Sequence, residues 1–280
     1  MGAQGPGQAP PKWDYPVGGR KSPVSGILNP EVLVLGAGGA VGSGVVGALL
    51  EAGSPVLAVG RDGPRMQALG EHFADEPALE LMESACIVDD VSAAALVQRL
   101  RTRKRPLRAV VASLAGPLES GRLLDRPSGF LLRKFEEDLV PHLAAARHLI
   151  PLLGEQEGAS HYVLIGGPHA ECGWSGYGHA SISAAALRML THVLHEEAQA
   201  FGVRVQMLSV DKPLATPDNA RNACAEWPSA MAVGRHAVSL LTGTERARAV
   251  VPFDAGRALT PPRALFSEFS FPLSKRETHS

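Results

Sequence analysis

The sequence is poor in features that would place it in a specialised class. Its 280 residues hold three cysteines, Cys86, Cys172 and Cys224, which form no CxxC pair and show no metal-ligand spacing. This usage favours a reducing, cytoplasmic location and predicts no metal site. No apolar run is long enough to span a membrane, and the N-terminus lacks the basic start and apolar centre of a signal peptide.

Net charge is also small. The formal value of −1 at pH 7 gives no global field that would attract nucleic acid or an anionic membrane. The five basic residues between Arg101 and Arg108 form one local cluster. We interpret it as a solvated helix end, where cations favour the helix dipole, with an anion or partner site as the alternative.

The composition is that of an ordinary globular protein, with 45% apolar and 20% charged residues. Its length suits one large domain better than two. Twelve of the first 30 residues are proline or glycine, which disfavours regular structure. We therefore predict an N-terminal arm over 1–30, a single domain over 31–253 and a C-terminal tail over 254–280 that packs on this subunit or a neighbour.

Along the domain, short continuous apolar runs alternate with segments in which apolar residues recur at helical spacing. The pattern predicts strands over 32–35, 56–59, 81–88, 107–112, 162–165, 203–210 and 249–253. It predicts a first helix ending at Gly53 and further helices over 65–73, 92–101, 130–153, 178–201 and 227–241. Ser92 is the expected N-cap of its helix, and Pro141 should kink the 130–153 helix. This order predicts an α/β fold, a Rossmann-type doubly wound parallel sheet with helices on both faces.

A glycine-rich turn follows the first strand. Gly36, Gly39 and Gly42 form a GxxGxxG pattern that includes Ala40 and Val41. Such glycines let the backbone approach a pyrophosphate, and the following helix directs N–H groups at the anion. The context predicts binding of an adenine dinucleotide. The alternative is a turn whose glycines only allow close packing of strand and helix.

The second strand ends at Val59-Gly60-Arg61-Asp62, at the spacing where such folds meet the adenosine ribose. Arg61 can bind a 2′-phosphate through its forked guanidinium, which favours NADP(H) over NAD(H). Asp62 weakens this preference, because an acidic residue there favours a free 2′-hydroxyl. The alternative for Arg61 is an exposed loop charge.

Five segments, in this order and spacing, resemble the short-chain dehydrogenase/reductase family over residues 31–253. The glycine turn is similar to the family's nucleotide loop, and Asp90-Val91 to the pair that holds adenine. Ser113-Leu-Ala115-Gly116 is similar to the family's Asn-Asn-Ala-Gly motif. The segment from Tyr177 to Ser181 is similar to the Tyr-x-x-x-Lys motif. Residues 203–216 are similar to the family's sixth strand and the turn that follows it. The resemblance implies that these residues line the cofactor site and that Tyr177 is the catalytic residue.

Three positions depart from the family's pattern. Ser181 stands at the lysine position, Gly166-Gly167 at the serine position, and Asp138 near the asparagine position. Without a nearby cation a tyrosine phenol, with an ordinary pKa near 10, yields little phenolate at neutral pH. Losing one transition-state donor commonly costs about 2.7–4 kcal/mol. The resemblance therefore implies weak or no ordinary carbonyl-reductase activity.

Three functions remain open. The chain binds NADP(H) as a sensor, scaffold or partner subunit; or it is an oxidoreductase with a rebuilt site that uses Tyr177 with Lys212 or His169; or it keeps the fold without the cofactor. A pair formed by His169 and Glu171 would supply an acid and a base. The loop 211–228, which contains Asn219, should cover the cleft.

We also expect the protein to form oligomers. The family commonly forms dimers or tetramers through two helices, which here are 130–153 and 178–201. Both carry broad apolar faces, so we expect a homodimer or homotetramer.

Overall fold

The computed structural model describes residues 30–84, 86–216, 219–242, 248–260, 262 and 265. The predicted arm, apart from Pro30, and most of the predicted tail lie outside these residues.

The described strands form one seven-stranded parallel sheet in the order β3-β2-β1-β4-β5-β6-β7. They are β1 (Glu31–Leu35), β2 (Val56–Gly60), β3 (Leu79–Glu83), β4 (Leu107–Ala112), β5 (Ser160–Gly166), β6 (Val203–Ser209) and β7 (Val250–Pro252). The chain builds outward from β1 to β3, then crosses back to β4 on the other side of β1. The predicted doubly wound fold is thus confirmed, with its switch point between β1 and β4.

Helices cover both faces of the sheet. They are α1 (Ala40–Glu51), α2 (Pro64–His72), α3 (Asp90–Arg101), α4 (Ser128–Asp138), α5 (Val140–Gly154), α6 (Gly178–Glu197), α7 (Ala230–Thr242) and α8 (Ala255–Leu259), with 3₁₀ turns at Leu123–Asp125 and Ala198–Phe201. Val32 and Val34 enter the core beneath α1 and α7, whereas Leu33 and Leu35 enter the core beneath α3, α5 and α6. Strand β1 is buried on both faces, as its continuous apolar run predicted.

Two predicted boundaries were wrong. Strand β3 occupies Leu79–Glu83, not 81–88, because it is an edge strand whose mostly solvent-exposed residues give a weak apolar pattern. Ser92 is not the N-cap of α3. Asp89 is, and its carboxylate accepts a hydrogen bond from the Ser92 backbone N–H while the Ser92 hydroxyl accepts one from the Asp89 N–H, which forms a capping box.

The predicted 130–153 helix is divided in two. Helix α4 ends at Asp138 and α5 begins at Val140, with Pro141 in its first turn. Proline has no N–H to bond the carbonyl of Glu137 and its ring collides with that carbonyl, so the expected kink becomes a complete break at Leu139. The break leaves the Asp138 side chain at a helix end, directed at the loop after β4.

Helices α1 and α7 cross in backbone contact. A Cβ at Gly44 would lie 2.2 Å from the carbonyl oxygen of Ala230, and a Cβ at Gly234 would lie 2.2 Å from the carbonyl oxygen of Gly44. No side chain fits at either glycine. This crossing holds α1 in place behind the glycine turn.

Candidate functional site

The glycine turn between β1 and α1 requires glycine at two positions. Gly36 has a φ of 75°, and a Cβ there would lie 2.1 Å from the carbonyl oxygen of Ser113. A Cβ at Gly42 would lie 2.1 Å from the carbonyl oxygen of Gly36. Gly39 has extended backbone (φ −76°, ψ 164°), and a Cβ there would meet only the Gly36 oxygen, at 3.2 Å. Gly36 and Gly42 fix the shape of the turn, and Gly39 keeps its surface open.

Helix α1 begins without a cap. Gly39, its N-cap, has no side chain to accept a hydrogen bond, and the first turn holds no acidic residue. Within the described residues, the backbone N–H groups of Ala40, Val41 and Gly42 have no hydrogen-bond partner. Free N–H groups at a helix start attract phosphate through direct hydrogen bonds and the helix dipole. The turn therefore fits the pyrophosphate of a dinucleotide, and we call it the phosphate cradle (residues 36–42).

The cradle lies at the switch point of the sheet. The backbone N–H groups of Gly36 and Ala37 donate to the Val59 carbonyl of β2 at 3.0 and 3.1 Å, and the Ser113 N–H donates to the Leu35 carbonyl at 3.0 Å. The carboxyl ends of β1, β2 and β4 thus surround the turn. Open α/β sheets bind their ligands in this crevice.

Two arginines flank the cradle. Arg61 directly follows β2 and is exposed, as is Asp62. Arg65, in the first turn of α2, brings its Cβ within 3.4 Å of the position that a Cβ would take at Gly38. Neither arginine forms an ion pair with a described residue, so both guanidinium groups are free to bind an anion. Sequence reasoning singled out Arg61 but missed Arg65, whose place depends on how α2 packs against the turn.

The predicted adenine pair is oriented toward α5. Asp90 is the first residue of α3, and its carboxylate accepts hydrogen bonds from Arg147 Nη1 at 2.8 Å and from His148 Nε2 at 3.1 Å. Val91 is 78% exposed. The assignment of Asp90 and Val91 to adenine binding stays a prediction, since the carboxylate already has two partners on another helix.

The loop after β4 is anchored by two side chains, one on each side of the helix break at Leu139. Asp138 Oδ1 accepts a hydrogen bond from the Gly116 N–H at 2.9 Å, and His142 Nε2 donates to the Leu114 carbonyl at 2.9 Å. Burial lowers the pKa of His142 to about 4, so its imidazole is neutral and can donate from one nitrogen. Asp138 therefore positions the Ala115-Gly116 segment beside the cradle.

Tyr177 is the N-cap of α6, with a half-buried side chain. Within the described residues its hydroxyl has no hydrogen-bond partner. Ser181, one turn later, is buried, and its hydroxyl accepts a hydrogen bond from the Trp174 backbone N–H at 3.1 Å. Ser181, which the motif resemblance set at the family's lysine position, therefore holds the preceding loop.

The two glycines that the resemblance set at the family's serine position differ, since a Cβ at Gly166 would lie 2.7 Å from Met207 Sδ. A Cβ at Gly167 would contact nothing within 4 Å, and Gly167 does not adopt a left-handed conformation. Lys212, offered as a substitute cation, is exposed and has no ion pair or hydrogen bond with a described residue. The structure thus gives no contact between Lys212 and Tyr177.

The proposed acid–base pair of His169 and Glu171 does not form. The Glu171 carboxylate pairs with Arg188 Nη2 of α6 at 3.1 Å. His169 instead stacks on Tyr177, with ring centroids 6.4 Å apart and planes inclined by 30°. Burial, followed by the charge of His179, lowers the pKa of His169. A neutral imidazole therefore stands beside the tyrosine ring.

His179 is buried against α4. Its ring packs edge-on against Phe130 of α4 at 5.4 Å and is 1% exposed. Nearby Lys134 is fully buried and donates to the Pro117 carbonyl at 2.6 Å and to Glu137 at 2.5 Å. This buried cation is held by its own partners and belongs to the packing of α4.

The loop 211–228 is described except for residues 217 and 218. Asn219 bonds within the loop, donating from Nδ2 to the Leu214 carbonyl and accepting from the Thr216 N–H, both at 2.8 Å. Its amide therefore shapes the loop. Among the described residues no group of His, Cys, Asp and Glu side chains is placed to hold a metal ion, and no described helix is long and apolar enough to cross a membrane.

Comparison with known proteins gives a consistent picture. A family model for the short chain dehydrogenases matches residues 30–216. The fold is similar to that of a short-chain type dehydrogenase/reductase from Mycobacterium ulcerans, with a TM-score of 0.71 and 19% identity over 84% of this chain and 91% of that one. A short-chain dehydrogenase from Streptomyces avermitilis gives a TM-score of 0.67, at 19% identity over 82% of this chain and 90% of that one.

A third similar structure is a short chain dehydrogenase from Burkholderia cenocepacia in complex with NADP. It has a TM-score of 0.64 and 20% identity, over 82% of this chain and 90% of the other. No curated protein matches the chain. The family match over residues 30–216, more than half of the chain, and the doubly wound sheet agree with the resemblance inferred from the motifs. The chain belongs to the short-chain dehydrogenase family.

Proposed function

We propose that this protein binds NADP(H) in the phosphate cradle and has little or no ordinary carbonyl-reductase activity, so that it serves as a sensor, scaffold or partner subunit. The uncapped start of α1 is the observation that carries the proposal. Three free N–H groups above a glycine surface form a site that a pyrophosphate fills and a side chain would block.

A reducing, cytoplasmic setting is part of this proposal, since the three cysteines are exposed and unpaired.

The preference for NADP(H) rests on the two arginines. Arg61 directly follows β2 and Arg65 lies in the first turn of α2 beside Gly38, at the end of the sheet where the adenosine ribose of a bound dinucleotide lies in such folds. Two guanidinium groups suit the double negative charge of a 2′-phosphate. The Burkholderia cenocepacia relative, solved with NADP, supports the same cofactor.

Weak turnover follows from the residues around Tyr177. A bound nicotinamide supplies a hydride, but the tyrosine must supply a proton and a donor must polarise the carbonyl. Ser181 gives the tyrosine no charge, and Gly166 and Gly167 carry no hydroxyl. Each missing group removes stabilisation that is felt mainly in the transition state.

Fluorescence titration of the purified protein with NADPH and with NADH tests the proposal. Selective binding of NADPH, followed by no turnover with a panel of aldehydes and ketones, is the expected result. If neither nucleotide binds, the cradle serves packing alone and the protein keeps the fold without the cofactor.

A second function is favoured by one observation, the stacking of His169 on Tyr177. In an oxidoreductase with a rebuilt site, the neutral imidazole would donate the hydrogen bond that serine gives elsewhere, and Tyr177 would transfer the proton. Tyr177→Phe should then abolish turnover and leave the Kd for NADPH unchanged. Full activity in that variant contradicts this function.

We also propose that the protein self-associates through α5 and α6. Exposed apolar side chains line both helices, and between them lies a groove of about 480 Å³. The exposed residues are Val140, Leu143, Met189, Val193 and, just after α6, Phe201. Burying such a patch against a second copy is favourable.

Light scattering at micromolar concentration should give a dimer or tetramer. Leu143→Arg should reduce it to a monomer. Leu124→Arg is the matched control, because Leu124 is 89% exposed and lies in the 3₁₀ turn before α4. A monomeric wild-type protein refutes the proposal.

A further inference from the structure

Three aromatic side chains contact one another in a row just before α6. Tyr177 stacks on His169 at 6.4 Å, and His169 meets Trp174 at 4.2 Å with the two planes inclined by 75°. The Trp174 side chain remains 37% exposed. We call these three residues the aromatic platform.

The backbone of Trp174 is held at both of its polar groups. Its N–H donates to the buried Ser181 hydroxyl at 3.1 Å, and its carbonyl accepts from the Tyr177 N–H at 2.9 Å. Gly176, with a φ of 84°, makes the turn between them. The backbone that carries the indole is therefore held in place before any ligand arrives, which lowers the entropy lost on binding.

Two glycines precede the platform in the sequence, one at the end of β5 and one directly after it. Gly166 and Gly167 carry no side chains, and the space where a Gly167 side chain would start is open. Two polar atoms of the platform have no hydrogen-bond partner among the described residues, namely the buried His169 Nδ1 and the Tyr177 hydroxyl. The platform therefore offers ring surfaces together with a tyrosine hydroxyl that can donate a hydrogen bond to a ligand oxygen.

We infer that the aromatic platform binds a planar aromatic compound with one hydrogen-bonding group, of the class of aryl ketones. Flat rings gain from offset or edge contacts with Trp174 and His169, which a saturated ring of equal size does not make. The inference rests on the proposed function, since the family resemblance places Tyr177 beside the nicotinamide. It names the ligand class of that same site.

Ligand-observed NMR titration with 2-acetylnaphthalene, in the presence of saturating NADP⁺, tests the inference. The control ligand is its decahydro analogue, which carries the same carbonyl on a saturated, puckered ring system. We expect the planar ketone to bind about tenfold more tightly, the range expected for one aromatic contact pair. Equal Kd values for the two ketones overturn the inference.

Substitutions of Trp174 test whether this residue causes the preference for the planar ketone. Trp174→Leu keeps apolar bulk but removes the ring, so the preference for the planar ketone should disappear, whereas Trp174→Phe should keep most of it. Leu259→Ala, which changes an apolar residue of α8 that is 79% exposed and lies outside the platform and the self-association surface, is the control and should bind as the wild type does. A planar preference that survives in Trp174→Leu also overturns the inference.

Failure of this inference is distinguishable from failure of the proposed function. If NADP⁺ binds and the ketones do not differ, only the ligand class is wrong. If NADP⁺ does not bind, the proposed function fails, and the ketone titration repeated without nucleotide still shows whether Trp174 selects planar rings.

Discussion

Replacing Gly39 by aspartate should separate nucleotide binding from folding. Gly39 has extended backbone, and its Cβ would meet only the Gly36 oxygen, at 3.2 Å, so an L-residue fits with a small shift. Aspartate is a favoured N-cap and would accept hydrogen bonds from the free N–H groups of Val41 or Gly42. Since glycine and aspartate differ by only a few tenths of a kcal/mol as N-caps, we expect Tm to stay within about 3 °C of wild type.

Affinity for NADPH should fall steeply in Gly39→Asp. The new carboxylate occupies the donors that a pyrophosphate needs and adds a negative charge beside it. Two unit charges about 5 Å apart repel by about 3 kcal/mol at an effective dielectric constant near 20. Because each 1.4 kcal/mol is a factor of ten, the Kd should rise about 100-fold.

The assay is NADPH fluorescence titration with Gly129→Asp as the matched control. Gly129 lies in the first turn of α4, is exposed, and a Cβ there would contact nothing within 4 Å. The control adds the same charge at another helix start and should bind as wild type. An unchanged Kd in folded Gly39→Asp refutes the cradle as the pyrophosphate site. An equal loss in both variants would assign the effect to net charge.

Further predictions concern cofactor choice, catalysis and pH. Arg61→Ala should raise the Kd for NADPH about tenfold, the worth of a charge-assisted hydrogen bond, and leave that for NADH unchanged; an equal change in both titrations contradicts the 2′-phosphate role. Gly167→Ser combined with Ser181→Lys should raise NADPH-dependent ketone reduction above the wild-type rate; no gain in a folded, NADPH-binding variant would show that other residues suppress turnover. His142 and His161 are buried with pKa values lowered to about 4, chiefly by burial. Since their unfolded pKa is near 6.5, the unfolded chain binds more protons between these values, and stability should fall by about 2 kcal/mol per histidine from pH 7 to pH 5. Urea unfolding measures this loss, which His142→Gln should roughly halve; equal stability at both pH values would refute the argument.

The fold was predictable wherever local patterns decide it. Buried runs such as Val32–Leu35 and residues 107–112 identify strands because both of their faces enter a core. The same reasoning misplaced β3, where an edge strand buries little. It also missed the complete break at Leu139, because the pattern of apolar residues continues through a position that only the proline ring interrupts.

The candidate site was also predictable only where its structure is local. The glycine turn is a local structure, so its residues and shape follow from adjacent sequence. Partners such as Arg147 for Asp90, or Arg188 for Glu171, lie on other elements and depend on tertiary distances. The hydrogen bond from the Trp174 N–H to the Ser181 hydroxyl also depends on tertiary distances, because it joins the loop before α6 to the first turn of that helix.

The contact between Gly44 and Ala230 has a mechanical consequence. Helix α1 carries the phosphate cradle at its start, and α7 begins two residues after the loop 211–228. Since backbone rests on backbone at this crossing, the two helices cannot slide past one another and must travel as one rigid unit. Any displacement of the cradle would therefore move α7 with it, and with α7 the base of the loop 211–228.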